Sequence, residues 1–159
     1  SFTGVRIAIA AARGLALVTK AKLFGVDSLT VMAHAARGTG IVTDAPLAVA
    51  VDARRGMLYF GLYDAQGAKC EGPLLIAPEE AAATLPNDLR LAVGSGASLL
   101  AEAARRRGQA IAAALPDLQP SAAALAEIAL ESGETMPTLR PLYLRPPDAK
   151  PQAQQVARR

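Results

Sequence analysis

The chain has 159 residues and a formal net charge of +3, from 17 basic and 14 acidic side chains, a length that holds one ordinary domain or two small lobes. Hydrophobic residues make up 52% and charged residues 19%, which excludes a disordered chain. A single cysteine, Cys70, and a single histidine, His34, exclude an internal disulfide framework and metal sites built on several thiolates or imidazoles. No run reaches the roughly 18 apolar residues of a membrane span, since Val5 to Val18 carries Arg6 and Arg13. With no targeting segment, the expectation is a cytoplasmic protein with no membrane contact. Alanine inflates the hydrophobic share and fills a core poorly, and aromatics are only 4%. Leu, Ile and Val are therefore expected to build the core.

The chain opens on Ser1-Phe2-Thr3-Gly4, which reads as the interior of a longer protein. Thr3 is placed to cap a helix running to about Lys20. Gly4, Ala8, Ala12 and Ala16 recur there at i, i+4 as a stripe of small residues, which lets another backbone approach closely. Val5 and Ile9 flank the stripe, and Arg6 and Arg13 share another face. A short strand over Lys22 to Val26 follows. Ser28 is the predicted cap of a helix from Leu29 to Arg37 that carries His34 and stops at Gly38. Thr39 to Pro46 reads as a linker and the candidate lobe boundary.

The run Leu47 to Val51 predicts a buried strand. Turns at Asp52–Gly56 and Asp64–Gly67 then separate strands over Met57 to Tyr63 and Ala68 to Ile76, a three-strand meander. Pro78 opens a helix whose first turn carries Glu79 and Glu80, and Pro86 ends it. Leu89 to Val93 is a strand, followed by Gly94-Ser95-Gly96 and a helix from Ala97 to Arg107. Gln109 to Ala114 predicts one more short strand. Ser121 caps a helix to Glu131, stopped by Gly133. The tail from Pro137 to Arg159 is proline-rich, with an extended stretch at Leu142 to Leu144. Strands followed by alternating helices point to an α/β layered lobe with a mixed sheet. The expected division is residues 1–40 as the remainder of a first lobe, 45–136 as a second lobe and 137–159 as a tail.

Catalytic chemistry finds little purchase. Gly94-x-Gly96 after a strand and before a helix suits a phosphate held by backbone N–H groups. Leu99 stands where the dinucleotide fingerprint needs its third glycine, and a strand-to-helix turn also takes glycine for steric reasons alone. A serine or cysteine triad needs an imidazole in a cleft, and His34 sits in an ordinary helix while Cys70 falls in a meander strand. Asp52, Arg54 and Gly56 read as a structural turn rather than an acid–base pair. Arg105, Arg106 and Arg107 complement a helix C-terminus; the competing reading is a patch that neutralises nucleic-acid phosphates.

Four segments taken together resemble a known family: SFTGVR opening a helix that continues through RGLAL, then FGVDSL, then AVDARRGMLYFGLYD, then PLYLRPP. In this order and at these separations they are similar to the TsaB (YeaZ) family of bacterial tRNA threonylcarbamoyladenosine biosynthesis, once labelled glycoprotease-like. The resemblance covers Ser1 to about Arg145, with Glu71 to Pro120 matching only in outline. It implies the actin-like ATPase fold of two ribonuclease H-like lobes. Family members carry leading strands and a helix before SFTGVR that are absent here, so an incomplete first lobe and a nearly complete second lobe are expected. The resemblance further implies a non-catalytic scaffold that pairs with and activates TsaD, with TsaE completing a complex that acts on tRNA. ATP and metal are then expected on those partner subunits, with no cofactor on this chain. Homodimers are a further implied state. The implied interface is the first helix, with Gly4, Ala8, Ile9, Ala12 and Ala16 at the contact and Arg6 and Arg13 at its rim. The alternative is an independent nucleotide-binding, kinase-like or peptidase-like enzyme of the same fold.

Overall fold

The computed structural model describes residues 2–41 and 44–145. The elements run α1 (Phe2–Thr19), α2 (Ser28–Gly38), β1 (Leu47–Asp52), β2 (Leu58–Tyr63), β3 (Lys69–Ile76), α3 (Pro78–Thr84), β4 (Leu91–Val93), α4 (Ala97–Arg106), β5 (Ala112–Ala114) and α5 (Ala122–Ser132). The five strands form one sheet in the order β3-β2-β1-β4-β5. β1, β2 and β3 are the antiparallel meander, whereas β4 runs parallel to β1 and β5 parallel to β4.

The period-two alternation of the strands sends residues to two covered faces. Leu47 and Val49 of β1, with Tyr63 and Val93, meet Leu29, Met32, Ala33 and Ala36 of α2. Ala48, Ala50, Phe60, Leu62 and Ala92 face the other way, onto Ala81 of α3 and Ala97, Leu100, Ala103 and Ala104 of α4. Helices on both faces make a three-layer α/β/α unit. The expectation that larger aliphatics alone build the core is corrected here: alanines on sheet and helix form much of the second layer. Their small side chains bring α4 close to β1 and β4, and Leu58, Phe60 and Leu100, each fully buried, fill the remaining space.

Local chemistry sets several boundaries differently from the sequence reading. α1 begins at Phe2, so Thr3 lies inside its first turn. Asp27, not Ser28, caps α2: its Oδ1 accepts from Thr30 N at 3.0 Å, and Ser28 is the first helical residue. Asp27 also accepts from Lys69 Nζ at 3.0 Å and from the Thr30 hydroxyl, whose oxygen lies 3.1 Å from Tyr63 OH. This network ties the start of α2 to β2 and β3. Burial raises the Asp27 carboxyl, but the hydrogen bonds from Lys69 and Thr30 outweigh it and hold the pKa below the ordinary value. Burial pushes the Tyr63 hydroxyl up. At the C-terminus of α2, Arg37 donates to the Asp64, Ala65 and Ala45 carbonyls, clamping the helix end to the β2–β3 turn.

The strand expected at Lys22 to Val26 does not form. Leu23 makes one antiparallel bridge, to Met136, and no further strand flanks it. Helix α2, which a division at residue 40 assigns to the first lobe, packs on the sheet of β1 and β2. Val42 and Thr43 of the expected linker, and the tail beyond Arg145 with Lys150, Arg158 and Arg159, lie outside the described residues.

Candidate functional site

Helix α1 is apolar on more than one side, the pattern of a helix that is covered on more than one side. Each i, i+4 step advances about 40° around a helix of 3.6 residues per turn. The small-residue row therefore spirals rather than lying on one face: Gly4 and Ala8 are exposed, whereas Ala12 and Ala16 are half-buried beside Ile9. On the opposite side Ile7, Ala11, Leu15 and Val18 line up at i, i+4, i+8 and i+11. Ile7 is 64%, Leu15 67% and Val18 82% exposed. Among the described residues α1 makes no extended contact with any other helix or strand.

A segment from the far end of the chain holds α1 in place. Arg6 donates from Nε to Tyr143 OH at 2.8 Å, and its guanidinium lies 5.6 Å from the centre of the Tyr143 ring. Arg13 donates to Thr138 Oγ1 and to the Leu139 carbonyl. Met136 N donates to Leu23 O at 2.7 Å. Gly25 lies against this segment: a Cβ there would stand 2.6 Å from Leu139 Cδ2, so the leucine side chain would have to turn aside. Further on, Arg145 donates to Ala53 O at 2.8 Å, fastening the same segment to the β1–β2 turn. Residues 136–145 are thus a strap from α1 to the sheet. The two arginines that the sequence suggested for an interface rim are engaged by this strap. Sequence reasoning missed it because its partners lie between 92 and 137 residues apart in the chain and no local pattern announces such pairs.

The turn Gly94-Ser95-Gly96 lies at the carboxyl end of β4, beside the end of β1. Gly94 N donates to Ala114 O, Gly96 N to Ala50 O at 2.9 Å and Ala97 N to Gly94 O. Three of the N–H groups that could cradle a phosphate are therefore engaged within the protein. A Cβ on Gly94 would meet Ala50 O at 2.5 Å, and one on Gly96 would meet Leu58 Cδ2 at 2.6 Å and Asp52 N at 3.0 Å. These contacts explain the glycines through close packing on β1. Ser95 Oγ accepts from Asp52 N at 3.1 Å, locking the turn to the strand end. Asp52 Oδ1 accepts from Arg54 N at 2.7 Å, and Arg54, Arg55 and Gly56 all have positive φ. The Asp52–Arg54–Gly56 segment is a side-chain-closed turn.

The remaining candidates are dispersed. His34 Nε2 meets Glu127 Oε2 at 2.9 Å, joining α2 to α5. Cys70 is exposed on β3. Among the described residues, no three His, Cys, Asp or Glu side chains converge as metal ligands. No helix there is long and apolar enough to cross a membrane. Arg106 pairs with Glu79 at 2.7 Å and Glu102 at 2.8 Å.

A family model described as TsaD, tRNA N6-adenosine threonylcarbamoyltransferase, matches residues 1–116. No curated protein matches the chain. Among solved structures, a protein described as uncharacterized with similarity to peptidase YeaZ from Pseudomonas aeruginosa superposes with a TM-score of 0.71 at 30% identity. The match covers 91% of this chain and 69% of that one. YeaZ from Pseudomonas aeruginosa superposes with a TM-score of 0.66 at 30% identity, over 85% of this chain and 65% of that one. The mixed sheet between helical layers is that of the actin-like ATPase fold these relatives share. The chain belongs to the TsaD-like family and is a YeaZ (TsaB)-like member of it.

Proposed function

We propose that the protein is a non-catalytic subunit of the tRNA threonylcarbamoyladenosine machinery, docking on and activating a TsaD-like subunit in the cytoplasm. One observation carries this reading: α1 presents an apolar row, Ile7, Ala11, Leu15 and Val18, to solvent while a strap from the far end of the chain fixes the helix on another side. Exposed aliphatic residues in a continuous row favour a partner, because burying each is worth roughly 1.5–3 kcal/mol. Gly4 and Ala8 lie beside the row and let a partner helix approach closely. In this reading Ile9, Ala12 and Ala16, with Arg6 and Arg13, shape the interface from behind by holding α1 against the strap. The adenylate chemistry, its metal and the ATPase step belong to the TsaD- and TsaE-like subunits.

The test is co-purification of the full chain with a TsaD-like subunit, comparing wild type with Ile7→Asp/Leu15→Asp. The proposal expects a complex for wild type and its loss in the variant, with an unchanged circular dichroism spectrum. An intact complex in the variant would move the docking surface elsewhere. A wild-type chain that forms only homodimers through α1 would replace the TsaD-like partner with a second copy.

A further inference from the structure

A polar cleft lies on the side of the molecule away from α2, between the loop after α3 and the loop from α4 to β5. Asn87 and Arg90 line one wall, and Arg107 and Gln109 the other. The walls are stapled together: Gln109 Nε2 donates to Pro86 O at 2.8 Å, and Ala112 N donates to Arg90 O at 2.8 Å. Arg90 and Arg107 therefore both border one surface depression, on two loops that these bonds hold together. Among the described residues no acidic side chain lines it.

The charges of the neighbouring arginines are unequal in availability. Arg106 is neutralised by Glu79 and Glu102. Arg105 and Arg107 make no side-chain hydrogen bond or ion pair among the described residues, and both are exposed. Arg90 donates only from Nη1, to the carbonyls of Asn87 and Leu89, which leaves Nε and Nη2 for a ligand. The negative pole at the end of α4 is muted by its own backbone. Ala104 O accepts from Arg107 N and Gln109 N, and Arg105 O accepts from Gly108 N. A helix end that would repel an anion is thereby capped.

We infer that the Arg90–Arg107 cleft binds the phosphate backbone of the tRNA substrate. A guanidinium fork matches phosphate oxygens, and two border this depression. Among the described residues no aromatic side chain lines the cleft, so none of them offers a platform for stacking a base. The contact is then backbone recognition, which positions an RNA without reading its sequence. The chain's net charge of +3 agrees in sign. The inference rests on the proposed function only for the identity of the nucleic acid.

The experiment measures fluorescent tRNA binding to the full chain, alone and with a TsaD-like subunit, across a salt series. Arg90→Ala/Arg107→Ala is compared with Arg54→Ala/Arg55→Ala, which removes equal charge from the β1–β2 turn at the opposite end of the sheet. The expected result is roughly tenfold weaker binding in the cleft variant. The slope of log affinity against log salt should become shallower by about two. The turn variant should bind close to wild type. Equal losses in both variants, no loss in the cleft variant, or equal competition by polyglutamate would overturn the inference. Partner co-purification is scored in parallel. A cleft variant that still docks but loses tRNA supports this inference whatever becomes of activation. A chain that never docks yet loses tRNA in the variant refutes the proposed function alone.

Discussion

Replacing Gly94 by alanine tests what the glycine turn is for. The new Cβ would stand 2.5 Å from the Ala50 carbonyl oxygen and 3.3 Å from Met32 Cε, on a backbone with φ of +101°. A side chain at such a φ costs about 1–3 kcal/mol. Relieving the clash requires moving β1 backbone, which adds about 1–3 kcal/mol of overpacking. Movement is resisted because Gly94 N bonds Ala114 O and Gly94 O accepts from Ala97 N. The sum, about 2–6 kcal/mol, is a large share of the roughly 5–15 kcal/mol that holds a domain together. With a urea slope of about 1–3 kcal/mol per molar, the midpoint should fall by about 1 M or more. The assay is urea unfolding followed by far-ultraviolet circular dichroism. Gly108→Ala is the control, since its φ is +85° but nothing lies within 4 Å of the added carbon. It should show the backbone cost alone. If Gly94→Ala unfolds at the same urea concentration as Gly108→Ala, the close-packing account of this turn is refuted.

Three further outcomes follow from the same geometry. Leu100→Ala, which empties a fully buried position of α4 against the sheet, should cost about 2–5 kcal/mol in the same unfolding assay; a change below about 1 kcal/mol would contradict the packing described. Because Asp27 titrates below its ordinary 3.8 when folded, the unfolded chain takes up that proton first as pH falls. Its stabilising contribution is complete above the unfolded value and is lost as pH drops through the lower folded one. Lys69→Ala should move this acid loss to higher pH, and unfolding midpoints from pH 2 to 6 that coincide with wild type would refute the assignment. Arg13→Ala/Tyr143→Phe loosens the strap, so amide exchange in α1 should quicken while the unfolding midpoint of the sheet stays within about 0.5 kcal/mol of wild type; unchanged exchange would mean that the strap does not hold α1.

The elements with strong local signals were legible. The meander announced itself through Asp-led turns between apolar runs, and Gly133, with φ of +61°, closes α5 after the Ser121 cap as its sequence suggests. Where two capping residues stand side by side, as Asp27 and Ser28 do, local pattern cannot choose. Lys69 and Thr30 decide for Asp27, and Lys69 is 42 residues away. Alanine is a poor filler by volume, and composition alone does not show where it can pack closely. Ala48, Ala50 and Ala92 earn their burial by facing Ala97, Ala103 and Ala104 at close range. The small residues of α1 recur at i, i+4, while its exposed apolar row follows the i, i+4, i+8, i+11 path of Ile7, Ala11, Leu15 and Val18. The partners of Arg6 and Arg13 come from the strap, which no helical periodicity in α1 could reveal.

In the function proposed above, this chain activates a TsaD-like subunit rather than acting alone. Threonylcarbamoyl transfer to tRNA, measured with the TsaD- and TsaE-like subunits in the presence and absence of the full chain, tests it most directly. Transfer should depend on the chain, should be absent with the chain alone, and should lose its stimulation with Ile7→Asp/Leu15→Asp. Transfer at full rate without the chain, or turnover of ATP or a peptide by the chain alone, would contradict it.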